Sequence, residues 1–188
     1  MKQENHREAI FAGGCFWCVE ADFEKLKGVI KAISGYASSK KSSEKSKEEP
    51  IYEEVSTGDT NYVEAVKVIY DPKIISYEKL VDYFWTHHNP LDPEGQFADR
   101  GPQYKPMIFY STQKEKEYIE KSKKELENSS DIFKCKIATQ ISPLGKFYPA
   151  EEYHQEYYKK NPIHYKLYRS GSGRDSFLKE INKEENHN

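Results

Sequence analysis

Cysteine is scarce in this 188-residue chain, long apolar runs are missing, and neither sign of charge prevails. Three cysteines are too few, and odd in number, for a disulfide framework, so cysteine here points to chemistry or packing. No stretch approaches the ~20 apolar residues of a bilayer-spanning helix, and the mean hydropathy is -0.94, which argues against a transmembrane protein. The first thirty residues lack a basic start, an apolar run and a small-residue cleavage site, so a cytoplasmic location is expected. Lysine and arginine number 29 against 31 acidic residues, a net charge of -2, which supplies no electrostatic reason for nucleic acid or an anionic membrane as partner. Tyrosine is abundant: 15 against 9 phenylalanines, many apolar rings carrying a hydroxyl that can hydrogen-bond.

The length suits one domain, with a core over about residues 8–181. The run SSKKSSEKSKEE at Ser38 to Glu49 has no apolar side chain and reads as a mobile surface loop, and Lys183 to Asn188 as a frayed tail. Strands are expected at Arg7 to Ala12, Val29 to Gly35, Val63 to Tyr70, Pro106 to Tyr110 and Cys135 to Ile141. Helices are expected over Cys15 to Lys27, after an N-capping Ser76, from the capping box of Thr112 and Glu115 to about Asn128, and around Glu151 to Lys160 and Arg174 to Ile181. Asn89 to Lys105 reads as a long loop, a length usually reserved for function. The order strand, helix, strand, strand, helix, strand predicts an α+β fold, a two-layer α/β sandwich with a ferredoxin-like core, a mixed sheet and an irregular C-terminal region.

Gly13-Gly14-Cys15-Phe16-Trp17-Cys18 falls at a strand-to-helix junction. Two glycines permit a sharp turn and close approach of another molecule. Cys15 at a helix N-terminus would have its thiolate favoured by free amides and the helix dipole, which makes it a candidate nucleophile. Cys18 lies one turn on, within reach of a modified Cys15. Phe16 and Trp17 would add exposed or half-exposed aromatic surface beside the sulfur. An isolated pair of cysteines at helical spacing would be read as core packing, but a core helix has no need of the preceding glycines. Zinc is not expected, because no second ligand pair accompanies the CxxC and adjacent His87 and His88 cannot both serve from one helix face. Cys135 alternates with Ile137, Thr139 and Ile141 and reads as a packed strand residue.

Glu64 shares its strand face with Val66, Val68 and Tyr70. Buried there, the carboxyl would stay protonated near neutrality and act as an acid; at a strand edge it would sit in solvent or pair with lysine, and spacing alone favours the second reading. Tyr52, Tyr62 and Tyr104 are candidate hydroxyl donors.

GCFWC at Gly14 to Cys18, YEEVSTGD at Tyr52 to Asp59, VEAVKVIYDP at Val63 to Pro72, DRGPQY at Asp99 to Tyr104 and AEEYHQEYY at Ala150 to Tyr158 together resemble the A-type peptide-methionine sulfoxide reductases. The resemblance runs from about Glu8 to Ile181 and implies an α/β sandwich around a ferredoxin-like core. It implies Cys15 as the nucleophile on the sulfoxide sulfur, Glu64 as the acid on its oxygen, and Tyr52 and Tyr104 as hydrogen-bond donors to that oxygen. Phe16 and Trp17 would hold the substrate methyl group, and Asp99 would support the polar side of the site. Cys18 would resolve the Cys15 sulfenic acid as a disulfide, which thioredoxin or a similar dithiol protein would reduce. The substrates implied are the S epimer of methionine sulfoxide in oxidised proteins and as the free amino acid, with no cofactor, no metal and a monomeric enzyme; no companion domain for the other epimer is expected.

Departures from the family pattern are Ser38-Ser39 for the usual Gly-Gly, a longer loop after them, Asn61 and Tyr62 before the acid, and Cys135, which matches no family cysteine. His154 and the SGSGRDSF segment at Ser170 to Phe177 also fit the pattern and are assigned packing and hydrogen-bonding roles. Two rivals remain. A thioredoxin-type dithiol oxidoreductase has no use for Glu64, and a binding module with a passive redox switch leaves the acid unexplained.

Overall fold

The computed structural model describes residues 5–43, 48–129 and 136–185; Cys135 lies outside the described residues. Strand β1 (Arg7–Ala12) leads through Cys15 into α1 (Phe16–Phe23), and β2 (Val29–Ser39) continues into the short α2 (Lys40–Ser43). The one-turn α3 (Tyr52–Val55) precedes β3 (Val63–Tyr70) and α4 (Tyr77–Trp85). A small hairpin of β4 (Gly95–Gln96) and β5 (Asp99–Arg100) and a 3₁₀ turn (Pro102–Tyr104) occupy the expected long loop. Then come β6 (Met107–Tyr110), α5 (Gln113–Ser129), β7 (Gln140–Pro149), a 3₁₀ turn (Glu152–His154), α6 (Tyr157–Lys160), α7 (Pro162–Gly171) and α8 (Arg174–Glu185).

The expected caps form. Ser76 Oγ accepts from Lys79 N at 3.3 Å, Thr112 Oγ1 accepts from Glu115 N at 3.2 Å, and Glu115 returns its carboxylate to the amides of Ser111 and Thr112.

The main sheet is mixed, but it is not the open layer of a sandwich. Its order is β1-β3-β2-β7-β6, and β6 pairs back onto β1, so the sheet closes into a barrel. The closing strand is β7, parallel to β6 through Tyr110↔Pro143 and antiparallel to β2 from Leu144 onward. Alternation sorts the strand side chains into two cores. Ala9, Phe11, Val66 and Val68 pack outward against Val19, Phe23, Leu80 and Phe84 of the helices. The alternate set Ile10, Ala12, Ala37, Val63, Ala65 and Phe109 forms a separate cluster on the face that closure turns inward, where alanines suit so narrow a barrel.

Four expectations change. Ser38 and Ser39 belong to β2, paired with Lys146 and Leu144, and α2 follows, so the polar run begins as regular structure; residues 44–47 lie outside the described ones. The last strand is Gln140–Pro149 rather than Cys135 to Ile141. The C-terminal region is helical, not irregular, because α7 lays Tyr165 over Cys18 and Ala21 of α1. Lastly, α8 extends through Glu185, so the expected tail begins within a helix, and residues 186–188 lie outside the described ones.

Candidate active site

Gly14 adopts φ +80°, and a Cβ on it would stand 2.5 Å from Gln96 Cβ, so only glycine permits the turn. The close approach made there is that of the protein's own β4 hairpin. The turn delivers Cys15 as the N-cap residue of α1, whose carbonyl accepts from Cys18 N at 3.1 Å. Directly across lies β3, a central strand between β1 and β2. Its Glu64 is 3% exposed, which removes the strand-edge reading, and its Oε2 accepts from Phe16 N at 3.0 Å.

A cavity of about 80 Å³ opens between these elements. Cys15, Phe16 and Trp17 line it from α1, Tyr52 from α3, Glu64 from β3, Asp99 from β5 and Tyr104 from the 3₁₀ turn. With Tyr168 of α7, residues from six elements thus converge on one small space. Cys18 lies one turn on along α1, buried. Tyr62 is elsewhere, buried edge-on against Tyr148. His88 has both ring nitrogens engaged, by the Phe84 carbonyl at 2.7 Å and Thr139 Oγ1 at 2.8 Å, and burial pushes it down to about 3.

The aromatic wall is built by partners that sequence spacing does not reveal. Phe16 is buried rather than exposed, between Tyr36 and His154. Trp17 is half-buried, stacks on Tyr157 with centroids 3.8 Å apart, and donates its indole N–H to His154 Nδ1 at 3.1 Å. Tyr52 is fixed through its backbone, whose N–H donates to Glu151 at 2.8 Å while Tyr36 holds the other carboxylate oxygen.

Electrostatics divide the site. Burial pushes the Glu64 carboxyl up to about 8, with Asp99 and Cys18 adding repulsion and the Phe16 amide only partly opposing it, so the group is a neutral acid at pH 7. Burial likewise pushes Tyr52 up to about 12, and Tyr104 and Asp99 above their ordinary ranges. The expected thiolate at Cys15 is not the resting state. Burial, the hydrogen bond to Cys18 and the charge of that thiol push the Cys15 thiol well up, against a lowering contribution from Tyr168. Cys18 is instead drawn down to about 7, first by the hydrogen bond from Cys15 and then, against burial, by Arg174 and Arg169. The helix N-terminus is outweighed because the sulfur stands in a dry pocket facing an acid.

One lining residue escaped the sequence reading. Tyr168 of α7 reaches into the cavity and donates its hydroxyl to Asp99 Oδ2. Nothing but the general excess of tyrosine signals it.

The family profile described as peptide methionine sulfoxide reductase matches residues 7–186. The chain belongs to the peptide methionine sulfoxide reductase family. It is 46% identical over 170 residues to peptide methionine sulfoxide reductase MsrA of Halalkalibacterium halodurans, covering 90% of this chain and 93% of that relative. It is 45% identical over 177 residues to the MsrA/MsrB protein of Vibrio cholerae, of which it spans 45%. Reduced Mxr1 of Saccharomyces cerevisiae has a similar structure, with TM-score 0.76, 34% identity and coverage of 84% of this chain and 87% of that one. Methionine sulfoxide reductase A of Corynebacterium diphtheriae gives TM-score 0.73 and 30% identity, with coverage of 86% and 78%. Mxr1 has also been solved in complex with Trx2.

Proposed function

We propose that this protein reduces the S epimer of methionine sulfoxide, free and in oxidised proteins, and that Cys15 and Glu64 carry the chemistry. The observation that bears most weight is a buried, neutral Glu64 carboxyl sharing one small cavity with the Cys15 sulfur and the hydroxyls of Tyr52 and Tyr104. A sulfoxide oxygen is a poor leaving group unless donors already point where negative charge grows. Glu64 donates the proton, Tyr52 and Tyr104 donate hydrogen bonds, and Phe16 and Trp17 hold the methyl group. Asp99 supports the polar side. A cavity of about 80 Å³ suits the end of one side chain rather than a bulky group.

The Cys15 thiolate attacks sulfur, the sulfur–oxygen bond of the substrate breaks as oxygen transfers to Cys15, methionine leaves, and Cys15 becomes a sulfenic acid. Cys18 then attacks the Cys15 sulfur, water departs, and a disulfide closes. Two electrons and two protons from thioredoxin or a similar dithiol protein restore both thiols, a role supported by the complex between Mxr1 and Trx2. The order β6-β1-β3-β2, with α1 and α4 in the crossovers, supports a ferredoxin-like reading of that part of the barrel. We read the whole as a single domain acting as a monomer.

A single-turnover assay without reductant tests this. Reduced enzyme mixed with S-methionine sulfoxide should release about one methionine per enzyme and lose the thiols of Cys15 and Cys18. Release of methionine with both thiols intact would refute the mechanism.

A further inference from the structure

The nucleophile turn and the polar side of the cavity come from parts of the chain that no strand pairing connects. Cys15 follows β1 of the barrel, whereas Asp99 sits on the β4–β5 hairpin, a two-stranded sheet separate from the barrel. Side chains must therefore hold the hairpin in place. Gln96 bonds the backbone of Asn89 through both amide atoms, at 2.8 and 2.7 Å, and packs on Gly14, while Tyr168 donates to Asp99. Arg174, the first residue of α8, supplies the bond to the turn itself. Its Nη2 donates to the Gly13 carbonyl at 2.6 Å and its Nη1 to the His87 carbonyl at 2.9 Å, just past the end of α4. The guanidinium also lies over the Phe97 ring, 4.7 Å from its centroid. Phe97 opens the two-residue turn of the hairpin with φ +57°, an uncommon conformation for a bulky side chain, and Phe177 of α8 meets the same ring edge-on at 5.5 Å.

Arg174 is 1% exposed, and among the described residues no carboxylate forms an ion pair with it. A buried cation without a carboxylate costs stability, so a side chain needed only to fill this space would serve better without charge. What the guanidinium offers instead is a rigid planar fork, with donors diverging to two carbonyls and a flat face for a ring. We infer that Arg174 is a positioning residue for the reaction: its fork joins the Gly13–Gly14 turn, the end of α4 and the β4–β5 hairpin into one rigid frame. The frame fixes the Cys15 sulfur relative to the Asp99 side of the cavity. Arg174 does not line that cavity and acts through the Gly13 carbonyl and the Phe97 ring. Two consecutive glycines leave the turn the freest backbone in the site, which is where a clamp on a carbonyl has the most to restrain.

This role rests on the proposed reaction, so one readout uses sulfoxide and the other does not. Arg174→Lys keeps the positive charge and replaces the fork with a single ammonium. Single-turnover methionine release is followed against the concentration of S-methionine sulfoxide. A small displacement of the sulfur is costly, so the maximal rate constant should fall about ten-fold while the half-saturating concentration stays within about two-fold. The amplitude should remain about one methionine per enzyme. In parallel, amide hydrogen exchange should quicken over residues 13–17 and 95–100 and stay unchanged over Val63–Tyr70 of the barrel. Phe97→Leu removes the ring under the guanidinium and leaves the Gly13 bond, so it should quicken exchange over 95–100 alone and slow release by a smaller factor. A wild-type rate constant in Arg174→Lys, lost amplitude at an unchanged rate constant, or exchange that quickens equally across the barrel would each overturn the inference, leaving Arg174 as a residue that only stabilises the fold. A wild type that releases no methionine would sink the reaction instead, and exchange alone would then decide whether the frame exists.

Discussion

Cys15 and Cys18 stand one turn apart on the same short helix and face opposite chemical surroundings. Cys15 looks into a cavity of carboxyls and phenols, where burial and the neighbouring Cys18 raise its thiol, Glu64 adding to this and Tyr168 opposing it. Cys18 looks towards α7 and α8, where Arg169 and Arg174 are both largely buried and help draw its thiol down to about 7. Arg169 bonds Asp22, Asp175, Tyr165 and the Cys18 carbonyl, whereas Arg174 donates to the carbonyls of Gly13 and His87. Position along a helix therefore does not set thiol acidity here; what packs against each sulfur does. The difference also divides the labour. In the proposed reaction the acidic cavity would keep protons available for a sulfoxide oxygen, and the cationic side would keep the second thiol ready to attack a sulfenic acid.

The largest expected effect tests which sulfur begins the reaction. Cys15→Ser should release no methionine in a single turnover, while Cys18→Ser should release one and then fail to recycle with thioredoxin; activity surviving in Cys15→Ser would reverse the assignment. Next comes the acid. Glu64→Gln should slow the sulfoxide step on the order of a hundred-fold or more with little change in substrate affinity, as removal of a general acid does. The wild-type rate should fall as pH rises through about 8, where Glu64 loses its proton, and the variant should lose that fall.

Stability carries the same signature with a definite sign. A carboxyl raised on folding from 4.5 to about 8 binds more protons folded than unfolded between those values, so its burial costs increasing stability as pH rises through that window. By pH 7 the cost is of order 3 kcal/mol. Glu64→Gln should therefore gain stability relative to wild type between pH 5 and 8 in urea titrations. A constant difference across that range would mean that Glu64 is ionised in the folded protein.

Much of this was legible in the sequence for identifiable reasons. β1, β3, α4 and the α5 cap follow from alternation, helical spacing and side chains that satisfy free amides. The converging site residues were legible through motifs rather than periodicity, because the four motifs that supply them meet only after the chain folds. Alternation could not decide whether Glu64 was buried, since that depends on β3 being a central strand. β7 was misplaced because it changes partners midway: Pro143 ends the pairing with β6, Gly145 follows, and the pattern is that of neither partner alone. α7 was missed because its strongest apolar residues, Ile163 and Leu167, are exposed, while Tyr165, Tyr168 and Arg169 face inward. Tyr168 was lost with it.

The smallest effect sharpens the contrast between the two sulfurs by reversing its sign. Asp22 is buried beside Cys18; burial pushes its carboxyl up, but Arg169 and Lys25 more than offset this and hold it below the ordinary range. Its charge opposes the arginines and raises the Cys18 thiol. Removing that charge with Asp22→Asn keeps an acceptor for Arg169, which retains Asp175 as ionic partner. In a Cys15→Ser background, where Cys18 is the only cysteine left in the motif, the Cys18 alkylation midpoint should then drop by a few tenths of a pH unit. Arg174→Met should move it the other way by a larger step, since Arg174 lowers the Cys18 thiol more than Asp22 raises it. Opposite shifts would place the origin of Cys18 acidity in the charges of α7 and α8. Shifts of the same sign would mean that both variants act by loosening the packing of α1 against those helices.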